Sequence, residues 1–110
     1  MTVDYGQGPK QVSASLLALF VYESQFGGAD MARDLFEYRE GGGGDLASEV
    51  NWTACVKALW AMLRAADRSV PPFEEWAASV EGVNLVDVAP QVLKAAREGF
   101  FRSGAAGEKA

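Results

Sequence analysis

The chain has 110 residues, of which 49% are hydrophobic and 23% charged, a composition typical of one folded domain with a single core. The net charge of −5 and the scattered Lys and Arg residues argue against nucleic-acid binding, because clustered basic side chains carry most of the affinity for phosphates. The longest apolar run, residues 16–21, is too short to cross a membrane.

The expected fold class is mainly α, a small single-domain bundle of four to five helices. Residues 1–12 are compatible with a short N-terminal β-hairpin, since the β-prone TVDY is followed by the turn residues GQGP. We expect the helical domain over residues 13–101. The tail RSGAAGEKA, residues 102–110, has nothing to bury and is predicted to be disordered.

The first predicted helix begins at Ser13 or Ser15, either of which can cap it with a hydroxyl, and ends at a Gly-Gly pair. Helical spacing puts five large apolar side chains on one broad face: Leu16, Leu19, Phe20, Tyr22 and Phe26. Leu17 and Val21 point the other way. Apolar residues on both sides indicate that this helix is central or is covered by a partner.

The second predicted helix is capped by Asp30 and runs to the glycines at 41–44, which we interpret as a flexible loop. Asp30 and Asp34 are one helical turn apart, a spacing that could hold a hard cation. However, Arg33 and Glu37 form an ordinary i, i+4 ion pair, so a solvated helix surface is the preferred interpretation.

The third predicted helix is capped by Asn51 and carries a core-facing stripe of Trp52, Val56, Leu59 and Leu63. Cys55 and Trp60 flank this stripe. The pattern predicts that Trp52 lies in the core and that Trp60 lies at its margin.

On the opposite side of the third helix is a lane of small residues: Ala54, Ala58, Ala61 and Ala65. Such a lane lets a second helix approach closely, although alanine is also the best helix former at exposed positions. We predict a protein-binding surface made of Leu17, Val21, the alanine lane and Trp60. Glutamate at Val21 or at Ala58 is therefore expected to leave the fold intact and to abolish association.

The remaining elements are two helices. The third helix should stop near Asp67, and Pro71-Pro72 should open a short helix whose face is Phe73, Trp76, Ala77 and Val80. A last helix is predicted from about Ala89 to Phe101, with Pro90 tolerated in its first turn. Its inward face is Ala89, Val92, Leu93, Ala96 and Phe100.

The sequence offers little for catalysis or for cofactor and metal binding. It has no histidine, so the commonest general base and transition-metal ligand is missing. Cys55 lies on a core stripe and is interpreted as a buried thiol. Glu23 lies within the apolar face of the first helix and needs a partner if it is buried, for which Arg33 or the free amides of the second helix are nearest. We therefore expect no catalytic residue, cofactor or metal.

The segments LLALFVYESQFGGADMARDLFEY, NWTACVKALWAMLRAAD and PPFEEWAASV, followed by a last helix ending in GFF, occur in a familiar order. Over about residues 12–101 this order resembles the small tail assembly chaperones of long-tailed, siphovirus-type phages and prophages of Gram-positive hosts. The landmarks are the YE-x-x-FG turn, the LWAMLR helix and the PFEEW element.

The resemblance implies a non-enzymatic function. Such chaperones bind the hydrophobic tape measure protein and keep it soluble while tail tube subunits polymerise around it. We also predict contact with the tail tube protein and homo-oligomerisation. The resemblance further allows a frameshift-extended form that would continue after Phe101. Together with the single cysteine and the lack of a secretion signal, it predicts the cytoplasm of the host cell.

Two other functions remain open from the sequence. The first is a small helical bacterial adaptor or regulator, antitoxin-like, that binds one folded protein partner. The second is a small carboxylate-dependent enzyme.

Overall fold

The computed structural model describes residues 1–36 and 51–101. Of the described residues 63% are helical, so the fold is mainly α, as the sequence predicts. The elements in chain order are β1 Thr2–Asp4, β2 Pro9–Gln11, α1 Leu16–Gln25, α2 Met31–Phe36, α3 Trp52–Ala66, α4 Phe73–Ser79 and α5 Leu85–Phe101. The predicted glycine loop at 41–44 and the predicted disordered tail lie outside the described residues.

The N-terminal hairpin is present, with β1 and β2 antiparallel and Val3 opposite Lys10. An isolated two-stranded hairpin is marginally stable, so it needs support from the rest of the fold. Helix α5 supplies it: the Asp4 N–H donates to Gln91 Oε1 at 2.9 Å, and Gln91 Nε2 donates to the Asp4 carbonyl at 3.0 Å. The Gln91 amide thus bonds the backbone of β1 as a third strand would, and Val3 is fully buried.

Helix α1 begins after Ser15, one of the two predicted caps. The Ser15 hydroxyl makes no capping bond to the helix and instead accepts from the Ser13 hydroxyl at 3.0 Å. At the other end Gly27 and Gly28 have φ of 66° and 89°, a left-handed conformation that side-chain-bearing residues rarely adopt. The predicted end of α1 at this pair is confirmed.

Helix α2 begins as predicted, since the Arg33 N–H donates to Asp30 Oδ1 at 3.2 Å. Asp34 differs from its predicted role on a solvated surface. It is half-buried and accepts a 2.8 Å bond from the Tyr22 hydroxyl, which ties α2 to α1. The predicted partner of Arg33, Glu37, lies outside the described residues.

Helix α3 is central, because α1, α2, α4 and α5 all pack against it. Its boundaries are those predicted: Asn51 Oδ1 accepts from the Ala54 N–H at 3.1 Å, and Asp67 follows the last turn. Eight of its fifteen residues are buried: Ala54, Cys55, Ala58, Leu59, Trp60, Ala61, Met62 and Leu63. Helix α3 therefore buries several faces rather than one stripe.

The predicted roles of Trp52 and Trp60 are wrong. Trp60 is only 2% exposed and its indole N–H donates to the Pro71 carbonyl at 2.9 Å, whereas Trp52 is half-buried in the first turn of α3. The reason is that α1 and α4 converge on Trp60. Its ring lies 5.9 Å from that of Phe26 and 5.7 Å from that of Phe73, both edge-to-face.

Helix α4 has the predicted inward face. Trp76 is buried, and Phe73, Ala77 and Val80 pack partly buried against the core. The Trp76 ring contacts that of Tyr5 edge-to-face at 5.8 Å, so an aromatic cluster runs from α1 through α3 and α4 to the end of β1.

Helix α5 starts earlier than predicted, at Leu85, after Asn84 accepts from the Val86 N–H at 3.0 Å. Pro90 consequently lies beyond the first turn, where its missing N–H leaves the Val86 carbonyl without an intrahelical partner. Both residues are exposed, so water can solvate that carbonyl. The start was wrong because the short segment before Ala89 has no clear periodicity.

The inward face of α5 is as predicted. Ala89, Val92 and Ala96 are buried, while Leu93 and Phe100 pack partly buried against the core. No helix in the described part of the chain is long and apolar enough to span a bilayer.

Candidate protein-binding face

Three large apolar side chains of α1 are exposed to solvent: Leu16 by 70%, Leu17 by 37% and Phe20 by 63%. They lie within the first two turns of the helix, and we call them the α1 face. Single exposed apolar residues are common on proteins, but a contiguous group is typical of a site that contacts another molecule. The α1 face is therefore the candidate functional site.

The rotation of α1 explains why these side chains are outside. Ala18 and Tyr22 are fully buried and set the inner side of the helix. Because side chains four residues apart share a face, Leu16, Phe20 and Ser24 form a column on the outer side. Six residues of α1 are exposed, and the three in its first half, Leu16, Leu17 and Phe20, are apolar.

Two shallow depressions flank Phe20. The first, of about 370 Å³, lies between α1 and α3 and is lined by Val21, Trp60 and Arg64 among others. The second, of about 300 Å³, lies between α1 and the start of α2 and includes Glu23 and Asp30. Phe20 lines both, so its ring stands between two concave surfaces.

The electrostatic borders of the α1 face are opposite in sign. Arg64 lies at the depression on the α3 side, and one of its guanidinium nitrogens donates to the Val70 carbonyl. Glu23 and Asp30 lie at the depression on the α2 side. The apolar strip thus runs between a cationic and an anionic edge.

Only part of the predicted binding surface is on the outside. Leu17 is exposed, and Val21 is half-buried at the edge of the α3-side depression. Ala65 is half-buried near the end of α3.

The other predicted binding residues are inside the monomer. Ala58 and Ala61 are fully buried, and Ala54 and Trp60 are at most 3% exposed. Small side chains do allow close helix packing, but the helices that pack against α3 belong to the same chain. The prediction of a surface is therefore wrong for Ala54, Ala58 and Ala61, and so is the expectation that glutamate at Ala58 spares the fold.

Glu23 is exposed, so the condition under which it would need a partner, burial, is not met. The side-chain bond between α1 and α2 is made by its neighbour Tyr22, which donates to Asp34. Burial and this bond raise the pKa of Tyr22 well above its usual value.

Sequence reasoning missed Leu16 and Phe20 as surface residues because both were assigned to the inner face. A signal was present: the column of Leu16 and Phe20 continues into Ser24, whereas the column of Ala18 and Tyr22 continues into Phe26. The column that becomes polar is the one facing water.

The described residues contain no group of three or more Cys, Asp or Glu side chains placed to hold a metal ion. Cys55 is 1% exposed, and burial raises the pKa of its thiol to about 11. A thiol that stays protonated at neutral pH is a poor nucleophile, which agrees with its interpretation as a core residue.

Comparison with known proteins gave no match among protein-family models, curated proteins or solved structures.

Proposed function

We propose that this chain is a non-catalytic binding protein that covers hydrophobic helical segments of another protein through the α1 face. More specifically, we propose a phage or prophage tail assembly chaperone whose client is the tape measure protein. The observation that carries the proposal is the exposure of Leu16, Leu17 and Phe20 on one helix.

The energetics of the α1 face support client binding. Fully burying a Leu or Phe side chain stabilises a complex by about 1.5–3 kcal/mol, and here three such side chains are wholly or partly available. The exposed ring of Phe20 can pack against a client helix, and the two depressions beside it can receive side chains of that helix. The net charge of −5 would help to keep a complex with a hydrophobic client dispersed.

The resemblance in segment order is what supports a tape measure protein as the proposed client. A tape measure protein is long and hydrophobic and must stay soluble until the tail tube subunits polymerise around it, so the tail tube protein is a second proposed contact. The proposed location is the cytoplasm of the host cell. The absence of histidine from the whole sequence is consistent with a function without acid–base catalysis.

The test is co-expression with a candidate tape measure protein, with the soluble fraction of that client as the measurement. We expect the wild-type chain to raise the soluble client severalfold and Phe20→Glu to abolish the effect. Val86→Glu is the matched control, because Val86 is exposed to a similar extent, 68% against 63% for Phe20, but lies on α5.

Circular dichroism must show that both variants keep the wild-type helical signal. Equal client solubility with wild type and Phe20→Glu would exclude the α1 face as the binding site. No increase with the wild-type chain would exclude the chaperone function.

The second candidate, an antitoxin-like adaptor, is favoured by the small extent of the α1 face, which suits a single folded partner. It predicts a complex of fixed stoichiometry with one folded protein and no effect on tape measure solubility. A major tail protein gene upstream and a very long tape measure gene downstream would instead favour the chaperone.

A further inference from the structure

We infer that, in the absence of a client, a second copy of this chain covers the α1 face, with a two-fold axis that runs along α1. The inference goes beyond the proposed function and does not depend on the identity of the client. It follows from the shape of the α1 face and from the signs of charge at its two edges.

The shape of the face is self-complementary. A two-fold interface brings the same patch of both copies together, so each projection must meet a concavity of the same patch. Phe20 projects between two depressions of about 370 and 300 Å³. A small sideways offset of the two helices places the Phe20 ring of each copy in a depression beside the Phe20 of the other.

The charges select the orientation of the second copy. The cationic edge at Arg64 and the anionic edge at Glu23 lie on opposite sides of α1, beside the same residue, Phe20. A two-fold axis along α1 exchanges left and right and keeps the position along the helix. Arg64 of each copy then faces Glu23 and Asp30 of the other.

The alternative orientation is disfavoured by the same charges. A two-fold axis perpendicular to α1 would make the helices antiparallel and put like edges together, cationic on cationic and anionic on anionic. Like charges brought together at an interface cost free energy and select against that arrangement. Arg64 can take part in the favoured arrangement because a guanidinium has five N–H donors and the bond to Val70 uses only part of them.

The size of the face sets the strength of the dimer. Stable interfaces bury roughly 800 Å² on each partner, more than three side chains and their borders provide. The dimer is therefore weak and concentration-dependent, with a dissociation constant on the order of micromolar or higher. The second copy shields Leu16 and Phe20 from water. Because it binds weakly, a larger hydrophobic client can displace it from the α1 face.

The test is sedimentation equilibrium of the full chain without any client, over a range of concentrations. We expect a monomer–dimer equilibrium for the wild type and for Val86→Glu, and only monomer for Phe20→Glu. Glu23→Arg is expected to weaken the dimer at least tenfold, because it places two cations together, whereas Glu23→Arg with Arg64→Glu is expected to restore it.

Circular dichroism and denaturant titration check each variant, because Arg64 also bonds Val70. If Arg64→Glu does not fold, the charge pairing is tested by salt. Added NaCl should weaken the wild-type dimer and strengthen the dimer of Glu23→Arg, since screening reduces attraction in one and repulsion in the other.

A wild-type chain that stays monomeric at millimolar concentration overturns the inference, and so does a dimer that is indifferent to Glu23→Arg. Neither result affects the proposed function, since the solubility of the tape measure protein is measured separately. Conversely, a dimer with the expected charge dependence would stand even if that client were not bound.

Discussion

Helices α1 and α3 are both rich in apolar residues, yet they are placed differently in the fold. Helix α3 has neighbours on several sides, and eight of its fifteen residues are buried. Helix α1 is ten residues long and has two buried residues, Ala18 and Tyr22. Leucines and a phenylalanine on its outer side remain in water, whereas Ala58 and Ala61 on α3 are completely enclosed.

The comparison shows that side-chain size and hydrophobicity did not decide which helix surface is exposed. An alanine lane looks dispensable to the core, but its small side chains are what lets other helices approach α3 closely. A large apolar face looks like core, but α1 is at the periphery and has only one covered side. Position in the fold decides exposure, and exposure then decides which face is available to a partner.

The largest expected effect on stability is that of Ala58→Glu, which places a charge at an enclosed position of α3. A carboxylate at a fully buried site costs several kcal/mol, comparable to the whole stability of a small domain, about 5–15 kcal/mol. We expect loss of the cooperative unfolding transition in circular dichroism. Thr53→Glu, exposed on the same helix, is the control that should fold. A folded Ala58→Glu protein would contradict the burial of the alanine lane.

The next largest effect is expected from Trp60→Ala. Truncating a buried aromatic side chain costs roughly 3–5 kcal/mol, and this change also leaves the Pro71 carbonyl without its donor. Trp52→Ala should cost clearly less, because Trp52 is only half-buried. Denaturant titration gives both free energies of unfolding, and a larger loss for Trp52→Ala would place the wrong tryptophan in the aromatic cluster.

A smaller effect is expected from alkaline pH, through the core thiol of α3. Burial raises the pKa of Cys55 from 9.0 to about 11, so the unfolded chain ionises first. The contribution of the protonated Cys55 thiol to the free energy of unfolding is fully present below about pH 9. The free energy of unfolding then falls by up to about 1.4 kcal/mol per pH unit as the pH rises towards 11. The raised pKa of Tyr22 acts in the same direction at still higher pH.

Urea titrations between about pH 8 and pH 10.5 measure this dependence, and Cys55→Ala should have a shallower slope than the wild type. The slopes are compared rather than the absolute stabilities, because the substitution also removes a buried sulfur. Identical slopes would mean that Cys55 ionises in the folded protein as it does in the unfolded chain.

The smallest effect is expected at the α1 face. Phe20→Ala should change the stability of the monomer by no more than about 0.5 kcal/mol, since the side chain is mostly in water already. Tyr22→Ala, an aromatic truncation two residues away on the buried side, should cost roughly 3–5 kcal/mol. Denaturant titration at low protein concentration compares the two. Similar losses would mean that α1 is rotated differently from the orientation described above.

Predictions that depended on local chemistry were largely confirmed. The caps Asp30 and Asn51, the Gly-Gly end of α1 and the short helix after Pro71-Pro72 are where the sequence places them. These features need only a few neighbouring residues, because a capping side chain and the amide it accepts from are within one turn. The start of α5 was missed because the short segment before Ala89 has no clear periodicity, which left Pro90 assigned to the first turn.

The candidate site was predicted less well, since Leu17 was identified and Leu16 and Phe20 were not. By itself the sequence determined the mainly helical class, the ends of α1 and α3, the starts of α2 and α4, and the inward faces of α4 and α5, because each depends on residues within one segment. The tertiary structure decided the rotation of α1, the enclosure of the alanine lane, the exchanged roles of Trp52 and Trp60, and the bonds of Tyr22 to Asp34 and of Gln91 to Asp4. The physical reason is that a helix with apolar residues on several sides has more than one acceptable rotation, and only its packed neighbours select among them.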